Sequence, residues 1–124
     1  MLLGLAILSS CTKESTAPSL VGKWNMQAQS TFCIPTNGGS PVLFENTINL
    51  DKNSLTFDNN TVTATGSTTL GNGNYTYRNN TITVTNSGQK VVATVSELTA
   101  TRFVVFTTHE DAFGRCTLTD TYTR

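Results

Sequence analysis

Charge is scarce in this sequence, and the two signs balance. Charged residues make up 13% of the 124 residues, and the formal net charge is zero. No basic stripe is present, which excludes nucleic acid as a partner. The single histidine rules out the usual zinc sets built on two or more histidines. No apolar run reaches the ~20 residues that a transmembrane helix needs.

Motifs for catalysis are also missing. The sequence contains no glycine-rich phosphate loop and no Gly-x-Ser-x-Gly nucleophile motif. Glu45 and Glu97 are the candidates for an acid–base pair, but both fall on polar strand faces or at a strand end, where solvation explains them. We therefore predict a protein that is not an enzyme and has no cofactor.

Three short acidic segments could suggest a metal ion, but each has a simpler explanation. His109-Glu110-Asp111 lies on a predicted loop, where three adjacent side chains rarely converge on one ion. Asp51-Lys52-Asn53 and Asp58-Asn59-Asn60 have the composition of turns. We predict no metal site.

What the sequence has in abundance is threonine for strands, with asparagine and glycine for turns. Apolar and polar residues alternate in short segments, and no stretch has a convincing helical period. In residues 22–32 the alternation places Trp24, Met26, Ala28 and Phe32 on one face. Asn79-Asn80 predicts a tight hairpin. Nine segments read as strands: 22–32, 44–50, 55–57, 61–65, 75–77, 82–84, 91–98, 102–108 and 115–124.

The short connections between these segments predict an all-β, up-and-down antiparallel meander. Eight strands can close into a barrel, which removes exposed strand edges. A β-sandwich is the alternative architecture. The length predicts one domain, which we place at residues 20–124.

The first residues read as a targeting segment. Met1 to Leu8 is short and apolar, as in the core of a signal peptide. Leu8-Ser9-Ser10-Cys11 resembles the lipobox of bacterial lipoproteins, which implies a signal peptide at residues 1–10, acylation of Cys11 and a polar tether at 11–19. Lys13-Glu14 faintly resembles the export signal of surface lipoproteins of the Bacteroidota type. The alternatives are an ordinary cysteine after an apolar start and a solvated pair of charges in a linker.

The rest of the chain resembles the bacterial lipocalin-like lipoproteins. Gly22-Lys23-Trp24 is similar to the Gly-x-Trp motif of the first lipocalin strand. Two further segments resemble hairpins of that group, residues 75–84 and 98–105. In lipocalins a basic residue near the end of the last strand packs over this tryptophan. If Cys33 lies opposite Cys116 in antiparallel first and last strands, Trp24 falls beside Arg124. A frayed Arg124 is the alternative.

The cysteines and the location follow from the lipoprotein resemblance. With Cys11 acylated, Cys33 and Cys116 remain as a pair in an oxidising compartment, where a disulfide persists. Two free thiols are the alternative. The resemblance implies a cell-envelope protein held in the outer membrane by its acyl chains, on the periplasmic or the surface face.

Two functions remain open. The first is binding of a small apolar ligand inside the barrel, although plain core packing explains the same residues. The second is a filled barrel that binds an envelope protein through its rim loops, residues 34–42 and 109–114. The residues expected to line an internal cavity are Met26, Phe44, Phe57, Tyr75, Tyr77, Phe103 and Tyr122.

Overall fold

The fold is a closed antiparallel β-barrel, as the sequence predicts. A computed structural model describes residues 19–47 and 49–124. The predicted signal segment 1–10 and the lipidation site Cys11 lie outside the described residues. The strands are β1 (Gly22–Pro35), β2 (Val42–Asn46), β3 (Ser54–Phe57), β4 (Thr61–Thr65), β5 (Gly73–Arg78), β6 (Thr81–Asn86), β7 (Gln89–Leu98), β8 (Arg102–Glu110) and β9 (Gly114–Thr123).

The meander closes because β9 returns to pair with β1. Nine strands fill only eight positions, since β2 and β3 share one edge of the long strand β1. β3 pairs with residues 22–25 of β1, and β2 pairs with residues 29–33. The described part of the chain is thus an eight-stranded barrel with one extra strand, which confirms the predicted architecture over the β-sandwich.

A β-bulge in β1 corrects the predicted alternation of this strand. Met26 pairs with Tyr122, but the next pair joins Ala28 to Thr121, so Gln27 is an extra residue. Because an extra residue reverses which side chains face inward, the inner face changes from even to odd numbers beyond Gln27. Phe32, expected to face inward, is therefore 41% exposed. β1 also continues to Pro35, through part of the predicted loop.

The second predicted strand is shorter than expected. β2 ends at Asn46 instead of Leu50, and a single 3-10 turn occupies Leu50–Lys52. Asn49 has a left-handed backbone, with φ of 54°, which no regular strand accommodates. Ile48 lies outside the described residues. The break displaces β2 from β3 and leaves it beyond the closed part of the barrel.

The tight hairpins form where the turn residues predict them. Asn79 and Asn80 both have positive φ, at 52° and 60°, as a two-residue turn between twisted strands requires. Ser87 and Gly88 repeat this conformation between β6 and β7. Local turn chemistry thus determines these connections.

The interior of the barrel is filled by aromatic and aliphatic side chains. The Phe103 ring lies 5.5 Å from Trp24, 5.9 Å from Phe57 and 5.7 Å from Tyr122, measured between ring centroids. All four rings are buried. Apolar burial on this scale is the main stabilising term for a domain of this size. Leu20, Met26, Leu55, Val62, Leu70, Ile82, Val84, Ala93, Val95 and Val105 complete the buried cluster.

Candidate functional site at the disulfide end of the barrel

The barrel has two ends with different chemistry. We name one after the tether predicted at residues 11–19 and the other after the disulfide. The tether end holds Ser19, Gly22 and Arg124, where the described chain begins and the last strand finishes. The disulfide end holds Cys33 and Cys116, near the other ends of β1 and β9. At ~3.3 Å per strand residue, the 11 residue steps from Gly22 to Cys33 separate the two ends by about 36 Å along β1.

At the tether end, Arg124 lies over Trp24. Its guanidinium carbon is 3.9 Å from the centroid of the indole ring. The same guanidinium donates to the carbonyl oxygens of Val21, Ser19 and Ala100, at 2.8–2.9 Å. The indole Nε1 donates to the Leu20 carbonyl at 2.8 Å. These contacts close the tether end with protein atoms.

Gly22 lies directly beneath this arginine. It has a φ of 129°, and a Cβ built on it would lie 3.1 Å from Nη1 of Arg124. A side chain here would strain the backbone and press on the guanidinium. The Gly-x-Trp motif and Arg124 thus form one packed unit that serves the structure of the barrel.

The structure separates the residues expected to line a cavity. Met26, Phe57, Phe103 and Tyr122 are buried, and the Tyr75 ring packs edge-on against Phe57 at 5.0 Å. These side chains contact one another and occupy the interior.

Two of the expected lining residues lie elsewhere. Phe44 pairs with Thr31 and so shares its face, but β2 lies beyond the closed barrel and leaves the ring 61% exposed. Tyr77 is 37% exposed because it lies at the end of β5, beside the Asn79–Asn80 turn. Tyr77 and Tyr75 instead border a cavity of about 370 Å³ that is open to solvent.

A buried carboxylate that the sequence interpretation missed holds the β4–β5 loop in place. Asp120 is fully buried, and its oxygens accept hydrogen bonds from the backbone N–H of Thr69 at 2.7 Å, Gln29 Nε2 at 3.2 Å and the Tyr122 hydroxyl at 2.9 Å. Burial, and then the Asp120 charge, raise the pKa of the Tyr122 phenol. The signal was present in the sequence, because Asp120 shares the inward face of Cys116, Leu118 and Tyr122.

The β4–β5 loop, residues 66–72, closes the interior on the side of the disulfide. Asn53 adds a second anchor, since its Oδ1 accepts the Ser67 N–H at 2.9 Å. Leu70, carried by this loop, is fully buried in the core cluster. With Trp24 at one end and Leu70 at the other, the barrel interior is a packed core.

The disulfide between Cys33 and Cys116 is present, which confirms the predicted pairing. It joins β1 to β9 next to a turn at residues 111–113. Thr36 fixes this turn by donating from its backbone N–H to Phe113 O at 3.0 Å and from its hydroxyl to Ala112 O at 3.2 Å. A Cβ at Gly114 would collide with the Ile34 carbonyl, so only glycine permits this close approach.

Exposed apolar side chains are concentrated at this end. Six of the nine large hydrophobic residues exposed in the described chain lie here, with Phe113 the most exposed at 84%. A groove of about 290 Å³ runs beside the disulfide between residues 33–37 and 111–116. A group of exposed apolar residues at one end of a domain is a candidate interaction site. We call the following set the apolar rim: Phe32, Ile34, Val42, Leu43, Phe44 and Phe113.

Three of the four acidic residues considered for metal binding, Asp58, Glu110 and Asp111, have other partners. Asp111 accepts the N–H groups of Phe113 and Gly114, and Glu110 lies 3.4 Å from Arg115. Asp58 caps its own turn by accepting two N–H groups and the hydroxyl of Thr61, and these bonds lower its pKa. Within residues 19–47 and 49–124, no three His, Cys, Asp or Glu side chains are grouped to hold a metal ion.

The two candidate acid–base carboxylates do not meet. Glu45 is on β2 near the disulfide end, whereas Glu97 pairs with Arg102 at 3.0 Å near the tether end.

No helix in the described residues has the length and apolar character needed to cross a bilayer.

Comparison with known families agrees with this geometry. The family model described as "Lipocalin-like domain" matches residues 20–105, more than half of the chain. The chain belongs to the lipocalin-like domain family. Lipocalin-like domains are in general non-enzymatic, and such a barrel fits a binding protein. No curated protein and no solved structure matched the chain.

The family match covers the Gly-x-Trp motif and β1 to β7, and it ends within β8. β9, which carries Cys116 and Asp120, and the following residue Arg124 lie outside the matched residues. The disulfide and the Asp120 anchor are therefore features of this chain that the match by itself does not predict.

Proposed function

We propose that this lipocalin-like protein is a bacterial envelope lipoprotein, acylated at Cys11, that binds its target with the apolar rim. The observation that carries the proposal is the separation of the two ends. The chain enters the barrel at the tether end, while six exposed hydrophobic residues gather at the disulfide end, about 36 Å away along β1. A protein tethered at one end and adhesive at the other is suited to contacting a partner beyond the membrane surface.

Chain length supports this arrangement. Cys11 and Ser19 are eight residues apart, a stretch that spans at most ~28 Å when fully extended. Acyl chains on Cys11 would thus keep the tether end close to the bilayer. Firm anchoring needs more than one chain, because each buried methylene contributes only ~0.8 kcal/mol. The outer membrane is the location that we propose, and both of its faces fit the geometry.

The filled interior favours the rim over a ligand inside the barrel. The side chains expected to line a cavity pack against each other, and Leu70 closes the space beneath the disulfide. A ligand of drug size needs a pocket of ~300–1,000 Å³ that encloses most of its surface. Two cavities of the described chain reach this volume, about 370 Å³ beside Tyr77 and about 420 Å³ beside Leu118, but both are open to solvent and lie outside the packed cluster. An apolar molecule that stays bound to the purified protein in native mass spectrometry would contradict the rim proposal and restore the ligand hypothesis.

The anchoring is tested with Cys11→Ser in the full chain, expressed in a bacterial host that is fed an alkyne-tagged fatty acid. Wild type should carry the label and sediment with membranes, whereas Cys11→Ser should lose the label and move to the soluble fraction. The matched control is the double variant Cys33→Ser/Cys116→Ser, which should keep the label. A Cys11→Ser protein that stays labelled would refute the anchor.

A further inference from the structure

We propose that the free edge of β2 is a docking edge, to which an extended segment of a partner protein adds as a further β-strand. This inference deepens the proposed function by naming the partner chemistry and rests on it for the location of the partner. The argument uses the backbone of β2, its side chains and its position in the barrel.

β2 has a strand neighbour on one side only. It pairs with residues 29–33 of β1, and among the described residues no strand pairs with its other edge. The strand that would continue the barrel there is β4, but it ends at Thr65. The chain then turns away at Gly66 to bring Ser67 and Thr69 to Asn53 and Asp120. This departure leaves a gap beside Val42–Glu45 that is open to an incoming strand.

Most of this edge lacks the features that usually protect a free edge. Such edges carry charged side chains, proline or a bulge, which prevent pairing with another chain. Residues 42–44 contain none of these and Glu45 is the one charged residue of β2, while the register with β1 is regular throughout. Val42, Leu43 and Phe44 are instead exposed and apolar, with 58% of Leu43 and 61% of Phe44 accessible.

The side chains on both faces of β2 define what the incoming strand should offer. Phe44 lies beside Thr31 on one face, and Val42 lies beside Cys33. Leu43 lies beside Phe32 on the opposite face. Because cross-strand neighbours pack against each other, a segment with apolar residues on both faces gains contacts with Val42 and Phe44 on one side and with Leu43 on the other.

Backbone chemistry distinguishes a strand from the other occupants of an apolar surface. A lipid surface accepts apolar side chains, but it does not pair in register with the N–H and C=O groups of an edge. A second copy that pairs antiparallel through β2 would direct the two tether ends in opposite directions, which does not suit two upright barrels anchored in one membrane. A strand from a partner protein satisfies both the backbone and the side chains, as in strand-addition complexes.

The probe for this edge is a synthetic peptide that copies the strand already paired with β2. It has the sequence of residues 29–34 with valine in place of Thr31 and serine in place of Cys33, Gln-Ser-Val-Phe-Ser-Ile, so that both faces carry apolar residues, and it is acetylated and amidated at its ends. The protein is the isotope-labelled full chain carrying Cys11→Ser, observed by NMR. We expect saturable shifts of the backbone amides of residues 42–45, with slower hydrogen exchange at those that point to the free edge.

Two controls separate strand addition from general adhesion. Phe44→Lys should weaken peptide binding at least about tenfold, which corresponds to ~1.4 kcal/mol. If Phe44→Lys does not fold, Phe44→Thr, which keeps strand propensity, is measured in its place. Val92→Lys, at an exposed apolar residue outside the rim, should bind the peptide like wild type. The same peptide with alternate backbone nitrogens methylated should fail to bind.

Four results would overturn the proposal. Two concern the peptide: no saturable shifts at residues 42–45, or equal binding of the methylated peptide. The other two concern the protein without peptide: it binds to phospholipid vesicles, or it associates with itself, and Phe44→Lys abolishes that binding or that association. All of these measurements use a protein without an acyl chain. A failure here therefore leaves the Cys11 anchor standing, and a failure of the anchor leaves this result standing.

Discussion

Arg124 combines two kinds of contact on one side chain. Its planar guanidinium stacks on the Trp24 ring at 3.9 Å, and its N–H groups donate to three carbonyls, those of Ser19, Val21 and Ala100. Lysine offers a compact ammonium that cannot repeat this planar geometry. Gly22 leaves room for the guanidinium. The Gly-x-Trp motif at the start of the domain is therefore packed against Arg124, which follows the last strand.

This arrangement predicts that Arg124→Ala lowers the free energy of unfolding by about 1–3 kcal/mol, through loss of the cation–π contact and the charged hydrogen bonds. Arg124→Lys should recover less than half of the loss. Urea denaturation followed by the fluorescence of Trp24, the only tryptophan, measures both values. Arg78→Ala, at an exposed arginine, is the control and should change stability by less than ~0.5 kcal/mol. Equal stability of Arg124→Ala and wild type would refute this role.

At the scale of elements, two local irregularities shape the disulfide end. The bulge at Gln27 reverses the facing of β1, which turns Gln29 and Thr31 inward and Phe32 and Ile34 outward. The inward Gln29 meets Asp120, and together they hold the β4–β5 loop. The outward residues become part of the apolar rim. The extra residue Gln27 thus affects both the loop that closes the barrel and the apolar rim.

The loop anchor predicts the effect of Asp120→Ala. One carboxylate oxygen accepts from Gln29 Nε2 and the other from both the Thr69 N–H and the Tyr122 hydroxyl, so alanine removes the acceptor of all three donors. We expect a loss of about 1–3 kcal/mol in unfolding free energy and faster hydrogen exchange at the Thr69 amide. Asp51→Ala, at an exposed carboxylate, should leave both quantities unchanged. An unchanged exchange rate at Thr69 in Asp120→Ala would show that the carboxylate does not hold the loop.

At the scale of the molecule, two kinds of bond join the first and last strands of the barrel. Backbone pairing joins β1 to β9 along most of their length, and the disulfide joins the same strands near the rim. The disulfide links residues 83 positions apart, so it restricts nearly the whole unfolded domain. It also secures the two segments that border the apolar groove.

We therefore expect Cys33→Ser/Cys116→Ser to lower the free energy of unfolding by about 3–5 kcal/mol in the chain-entropy model, with the strand content retained. Chemical denaturation and far-ultraviolet circular dichroism measure these two quantities. Wild type treated with a reductant should reach the same stability as the variant, and the reductant should not affect the variant. A double variant as stable as the oxidised wild type would contradict this account.

The sequence by itself determined the features that depend on neighbouring residues. Alternation with a period of two identified the strands, and the Asn79-Asn80 pair identified a hairpin because asparagine tolerates positive φ. The lipocalin-like start at Gly22 and Trp24 followed from a short pattern, and the pairing of Cys33 with Cys116 was expected once the lipobox resemblance assigned Cys11 to acylation. These features need only local backbone preferences or a small number of residues to pair.

Only the tertiary structure decided the features that depend on which strands lie side by side. The bulge at Gln27 lies where the neighbour of β1 changes from β3 to β2, and no residue in β1 indicates it. Asp120 is tolerated in the core because Thr69, Gln29 and Tyr122 arrive there from three different segments. Phe44 follows the strand alternation of its neighbours, yet it is exposed because no strand covers the outer edge of β2 in the described chain.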